Sequence, residues 1–303
     1  MGVAQTCFCF FRVNWGAWQV FSPPLYLGDD VLSELLDGGQ SFRWNQVDGE
    51  FAVWQGVFGR NLVQLRLAGD GEVEFRLPSG RGSDSEVQKY FGQDQDWEKL
   101  IDALPWRSDL HLHECMERFP GLRILRQPFG ETLFSFLCSS AKQIVQIKQC
   151  CLEVAQRFGE DLGSGSYAWP GWSVLADVGE RALRDCKLGY RARYVSGVAR
   201  ILSDDADFET RVLESSFKHA KNLLMELPGV GAKVADCVLL FGAGKLEAFP
   251  VDTWVTKVMS RVYGLAGWKA ESIALFGTAH FGSAAGLAQQ FLFADERRLS
   301  KKG

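Results

Sequence analysis

The chain has 303 residues, 47% of them hydrophobic and 23% charged, with a formal net charge of −4. This balance excludes a disordered polypeptide and gives room for two or three packed lobes. Mild acidity excludes nucleic-acid binding driven by overall charge and leaves only local cationic faces, and no run of about twenty apolar residues offers a membrane span.

Residues 1–14 read as an extension, expected to be disordered. They formally fit an N-myristoylation pattern (Gly2, Thr6) beside Cys7 and Cys9, and they lack the small-residue cleavage site of a signal peptide. From about Trp15 to Ser79 the pattern is strand-like. Segments 41–46, 51–58, 61–68 and 72–77 alternate or run apolar, with turns at Asp48-Gly49, Gly59-Arg60 and Gly69-Asp70-Gly71. This predicts an antiparallel meander preceded by a helix at 29–37. Helical segments are expected near 86–92 and 97–103, and the chain turns mainly helical from 108.

Residues 131–159 read as one long segment with Leu133, Phe136, Leu137, Ile144 and Ile147 on a buried face. A loop is expected at 161–172. Helices are then expected near 173–186, 190–203, 209–226, 232–243, 253–264, 269–276 and 283–298. A sheet lobe followed by a helical lobe is an α+β protein: 15–116 as the antiparallel sheet domain, and 117–303 as two helical lobes flanking a cleft.

Within the helical part, LPGVGAK (227–233) interrupts the periodicity with Pro228, Gly229 and Gly231. This predicts a helix, a tight hairpin and a second helix whose free N–H groups form an anion site. Lys233 sits at the mouth of that second helix, and Asp252, after Pro250, is placed to cap the next one.

These features together resemble the helix-hairpin-helix DNA glycosylases whose motif ends in a Gly/Pro-rich loop and an aspartate. The separation of 252 − 233 = 19 residues between Lys233 and Asp252 fits them. Four further segments resemble the 8-oxoguanine branch: GGQSFRW (38–44), LFSFLCSS (133–140), LGYRARYV (188–195) and AGLAQQFLF (285–293). The family resemblance spans about residues 20–298.

The resemblance implies a bifunctional enzyme that excises 8-oxoguanine from duplex DNA and then nicks the abasic strand. A base inside the stack cannot be attacked, so it must be flipped out. Lys233 is then the expected nucleophile, and its surroundings must favour the neutral amine. Asp252 is expected to stabilise positive charge on the sugar, while Asp236 reads as structural. Tyr190 is the expected wedge, with Arg191 beside it for the orphaned partner base. Gly39 would supply the carbonyl that reads N7–H of the oxidised base, Phe293 and Cys237 would sandwich the ring, and Gln289 would read its Watson–Crick edge.

Phosphate contacts are expected from Gly229, Val230 and Gly231 and from Lys142, with a basic cluster of Lys187, Arg191, Arg193 and Arg200. No cofactor or catalytic metal is implied, apart from a monovalent cation that the family binds at the hairpin, 227–231. The expected partner is double-stranded DNA, and the expected form is an intracellular monomer with reduced thiols, since the eight cysteines show no C-x-x-C pair.

The sequence departs from the eukaryotic pattern at Ala141, Lys142, Gln143 and Gln146, where that pattern has an asparagine triplet and then an arginine that contact the orphaned cytosine. Weaker preference for cytosine opposite the lesion is therefore expected. Trp254 stands where eukaryotic members carry histidine, as in the bacterial-type sub-branch. Two other readings stay open: a glycosylase for another damaged or alkylated purine, and a noncatalytic helix-hairpin-helix DNA-binding protein. The iron–sulfur branches need four clustered cysteines near the C-terminus, and none follows Cys237.

Overall fold

The structure, a computed structural model, describes residues 13–49 and 52–302. The calls on Gly2, Thr6, Cys7 and Cys9 lie outside these residues.

Five strands, β1 (Gln19–Val20), β2 (Trp44–Gln46), β3 (Trp54–Phe58), β4 (Asn61–Leu67) and β5 (Val73–Arg76), form an antiparallel sheet in the order β1-β5-β4-β3-β2. Helix α1 (Asp29–Asp37) buries Val31, Leu32, Leu35 and Leu36, the i, i+1, i+4, i+5 face that its sequence offers. Each such leucine stabilises the fold by about 2 kcal/mol through burial. Two short helices follow, α2 (Asp84–Tyr90), capped by Ser83, and α3 (Trp97–Asp102), capped by Asp96. Helix α4 (Leu110–Arg118), capped by Asp109, leads into the helical half.

The long segment 131–159 is built from two helices. α5 (Phe129–Cys138) is almost wholly buried, and α6 (Ile144–Phe158) starts after a turn. Ala141 in that turn has φ +53°, a left-handed conformation that no helix interior accepts. The Gln146 side chain accepts the backbone N–H of Gln143 at 3.0 Å and so fixes the start of α6. The expected loop at 161–172 contains a small hairpin, β6 (Asp161–Gly163) with β7 (Ser166–Tyr167).

Helices α7 (Trp172–Leu183) and α8 (Ala192–Asp204) come next, joined by irregular turns at 184–191. The expected helix at 209–226 is also two, α9 (Phe208–Glu214) and α10 (Phe217–Met225), broken at Ser215, whose ψ of 156° is extended. The last four are α11 (Ala232–Phe241), α12 (Thr253–Val262), α13 (Ala270–Phe281), which runs five residues past its expected end at 276, and α14 (Ala285–Lys302).

The core is continuous from the sheet to α14, running from Phe21 through Trp44, Phe134 and Leu239 to Ala294. Two buried or half-buried polar groups tie the sheet part to the helical half. Gln40 receives the N–H of Leu125 at 2.9 Å and donates to the Arg123 carbonyl at 3.2 Å. Arg297 of α14 donates to the Gly38 carbonyl and pairs with Glu34 at 3.1 Å. Gly39, lying between these anchors, is thereby held against α14.

Candidate active site

Helices α5, α11 and α14, the turn at 139–143 and the Gly38–Phe42 segment enclose a cleft of about 820 Å³. Gly39, Lys142, Lys233, Cys237, Asp252, Gln289 and Phe293, seven of the residues singled out from the sequence, all line it. They come from distant parts of the chain, and the anchors on Gly38 and Gln40 bring the first of them to the rest.

Lys233 is the second residue of α11 and points into the cleft mouth. Its Nζ donates to Ser139 Oγ at 3.0 Å and stands 5.3 Å from the centre of the Phe136 ring. Asp252 is the N-cap of α12: its Oδ1 accepts the N–H of Val255 at 2.9 Å. Burial raises the Asp252 carboxyl above the ordinary carboxylate range, and the Val255 N–H and the Lys233 charge oppose that rise. Among the described residues no ion pair joins Lys233 to Asp252.

One turn beyond Lys233, Cys237 is buried and its thiol is pushed up to about 12, again by burial, so it is a neutral apolar wall. Phe293 faces the same space. Gln289 is 3% exposed, and its Oε1 accepts from Gln290 Nε2 at 2.8 Å. Gly39 has φ +110°, and a Cβ there would stand 3.0 Å from Ile144 Cδ1. Only glycine allows that backbone to line the cleft unshielded.

The hairpin lies outside this cleft. Its turn is closed by Val230 N–H on the Leu227 carbonyl at 3.1 Å. Gly229 and Gly231 line a neighbouring cavity of about 580 Å³ that Lys233 also borders. Gly231 is exposed with nothing near its absent side chain, whereas Gly229 faces Tyr194.

Tyr190 is 52% exposed on the turn before α8. Arg191, at 7%, is folded back: its guanidinium lies 4.4 Å from the Tyr190 ring centre and donates to the Ser140 carbonyl. Lys142 reaches in the opposite direction, donating to the Lys187 carbonyl at 3.2 Å. The expected basic cluster is partly spent within the protein. Lys187 pairs with Glu153 at 3.1 Å, Arg193 bonds the Tyr194 hydroxyl at 3.3 Å, and Arg200 bonds Ser196 Oγ at 3.3 Å. Asp236 has the structural place read for it, paired with Lys221 at 2.7 Å. Trp254 lines the cleft beside Asp252.

Sequence reasoning gave no role to Ser139, Gln40 or Gln290. Ser139 lies in the LFSFLCSS segment, yet its bond to Lys233 spans 94 residues and has no local signature.

The structure thus sets the hairpin before the helix that carries Lys233 and places the capping Asp252 in the lining of the same cleft. Residues 28–133 match the model of the 8-oxoguanine DNA glycosylase N-terminal domain, and 134–276 that of the HhH-GPD superfamily of base excision DNA repair proteins. The chain is 30% identical over 223 residues to a probable N-glycosylase/DNA lyase of Methanothermobacter thermautotrophicus, covering 66% of this chain and 71% of that protein. It is also 30% identical over 264 residues to the N-glycosylase/DNA lyase of Saccharomyces cerevisiae, covering 78% and 69%. A Clostridium acetobutylicum 8-oxoguanine glycosylase/lyase, solved with double-stranded DNA containing cytosine opposite 8-oxoguanine, superposes with a TM-score of 0.81 at 29% identity, covering 89% of this chain and 92% of that one. The chain belongs to the 8-oxoguanine DNA glycosylase family.

Proposed function

We propose that this protein excises 8-oxoguanine from duplex DNA and cleaves the resulting abasic strand, with Lys233 as nucleophile. The single observation that carries this reading is the shared cleft of Lys233, Asp252, Gly39, Cys237, Gln289 and Phe293.

The chemistry follows from that arrangement. The Lys233 amine forms a bond to the sugar C1′ as the bond from C1′ to the base N9 breaks, and the base leaves with the electron pair and gains a proton. Asp252, held by the Val255 N–H, stabilises the positive charge that grows on the sugar. Opening of the sugar ring gives a Schiff base, from which β-elimination releases the 3′ phosphate. The Gly39 carbonyl accepts N7–H of the oxidised base, a proton that guanine lacks, so the undamaged base leaves a buried acceptor unpaired. Cys237 and Phe293 enclose the ring, and Gln289 meets its Watson–Crick edge.

On the DNA side, Tyr190 fills the space of the flipped nucleotide. Arg191 releases the Ser140 carbonyl to reach the orphaned base. The N–H groups of Gly229 to Gly231 take a phosphate, and the hairpin carbonyls hold a monovalent cation. An intracellular setting fits this reading and the six described cysteines, all buried and unpaired. No described helix is long and apolar enough to cross a membrane.

The test is base release from duplexes holding 8-oxoguanine, an alkylated purine or no lesion, scored with and without alkali. Release from the 8-oxoguanine duplex with nicking before alkali is the expected result. Release only from the alkylated duplex moves the activity to the other purine class, and release from neither leaves a DNA-binding module.

A further inference from the structure

Nothing in the roles above accounts for Ser139. It follows directly on α5, and its backbone N–H bonds the Phe136 carbonyl at 3.1 Å. Its hydroxyl donates to the same carbonyl at 2.7 Å. A hydroxyl has one proton, so with that proton on Phe136 only lone pairs remain to face Lys233. The Lys233 Nζ occupies that direction at 3.0 Å, and Ser139 is the one side chain hydrogen-bonded to Nζ among the described residues. Ser139 therefore receives an N–H and cannot take the lone pair of the neutral amine.

We infer that Ser139 is a positioning residue for Lys233, holding the amine by one N–H so that its lone pair faces the sugar. The inference rests on the reading of Lys233 as nucleophile. The geometry has three supports. The Phe136 ring, 5.3 Å away, lies beside Nζ and offers no competing lone pair or carboxylate. Asp252 forms no ion pair with Lys233, so the amine is not drawn onto the carboxylate. The Oγ itself is fixed, because its proton and the Ser139 backbone both end on the last turn of a buried helix.

Orientation of a nucleophile enters the rate steeply. A displacement of about 1 Å costs on the order of 100-fold, so loss of this hydrogen bond is expected to slow attack by about 10- to 100-fold.

The experiment is the single-turnover rate of borohydride-trapped adduct on an 8-oxoguanine duplex for wild type, Ser139→Ala and Ser139→Thr. Thermal stability is measured alongside, with affinity for a duplex carrying a tetrahydrofuran abasic-site analogue. The expected result is slow trapping in the alanine variant, rescue to within about threefold of wild type by threonine, and affinity and stability near wild type in both. Ser139→Cys keeps the volume and has only a weak acceptor, and it reads the same quantity if the alanine variant is destabilised. Any small affinity change that Ser139→Ala makes is expected to vanish in a Lys233→Met background, because its effect runs through the amine.

Wild-type trapping by Ser139→Ala overturns the inference, as does a threonine variant as slow as alanine, or an affinity loss that persists beside Lys233→Met. Absence of any adduct with wild type removes the nucleophile reading first, and this inference with it.

Discussion

The Tyr194 side chain of α8 lies against the backbone of Gly229: a Cβ at Gly229 would stand 2.6 Å from the ring's Cγ. With φ +80° at the same residue, the hairpin is held by a contact and a backbone conformation that glycine alone satisfies. Gly231 has neither restriction, since its φ is −96° and no atom lies within 4 Å of its missing Cβ. The two glycines do different work. Gly229→Ala is expected to lower stability by about 1–3 kcal/mol, visible in urea denaturation. Gly231→Ala, at the N-cap of α11, is expected to cost no more than about 1 kcal/mol and to weaken DNA binding, because on the proposed reading its methyl would stand where a phosphate approaches. Equal stability losses in the two variants would contradict this division.

Asp252 caps α12, and on the proposed reading it also has a chemical task. Asparagine still accepts the Val255 N–H, so Asp252→Asn is expected to change stability by less than about 1 kcal/mol. Base release, which needs the negative charge, is expected to fall on the order of 100- to 1,000-fold. Burial raises this carboxyl, so in wild type the acidic limb of the rate profile is expected above the ordinary carboxylate range. Activity falls as pH drops through that limb, and the Asn variant lacks this carboxyl's contribution to the fall. A pH–rate series on both proteins checks the pair of claims.

Asp236 gives a pH signature that has nothing to do with catalysis. Burial outweighs the Lys221 ion pair and lifts its carboxyl from 3.8 to about 6. A folded value above the unfolded one means that the folded state binds the proton more tightly. The contribution is present in full below pH 3.8 and is lost as pH rises through about 6. Relative to Asp236→Asn, wild type is expected to lose on the order of 2–3 kcal/mol between the two limits. Urea midpoints of both proteins from acidic to mildly alkaline pH measure this, and a pH-independent gap would contradict it.

Ala141 stands with φ +53° where asparagine is better tolerated than alanine. Ala141→Asn is therefore expected to hold or slightly raise stability. On the proposed reading it also places an amide beside the orphaned base. Wild type is expected to excise 8-oxoguanine at similar rates opposite all four bases, and the variant to favour cytosine by several-fold. Rates on four duplexes decide, and a strong cytosine preference in wild type would contradict the reading of this position.

How much of this was legible in the sequence follows from which signals are local. The α1 bounds and the meander were, because Asp48-Gly49, Gly59-Arg60 and the 29–37 periodicity are written within single elements. Lys233 and Asp252 were singled out through a punctuated hairpin and a spacing that fits the resembled family. The break between α5 and α6 was not, because Ala141 adopts a left-handed conformation without a glycine to announce it. The split at Ser215 carried equally little signal. Arg191 was read as a contact to the orphaned base, and nothing in its own segment signals that it is buried against Tyr190 through a bond to a carbonyl 51 positions away. Ser139 and Gln40 act through tertiary hydrogen bonds, and such pairings leave no pattern in either partner's own segment.

The central claim is that Lys233 attacks the sugar that carries 8-oxoguanine. Borohydride trapping on a duplex with 8-oxoguanine opposite cytosine tests it most directly, with Lys233→Gln as the control. The account predicts a covalent protein–DNA adduct with wild type and none with the variant. Base release by wild type without any adduct, or an adduct that survives Lys233→Gln, would contradict it.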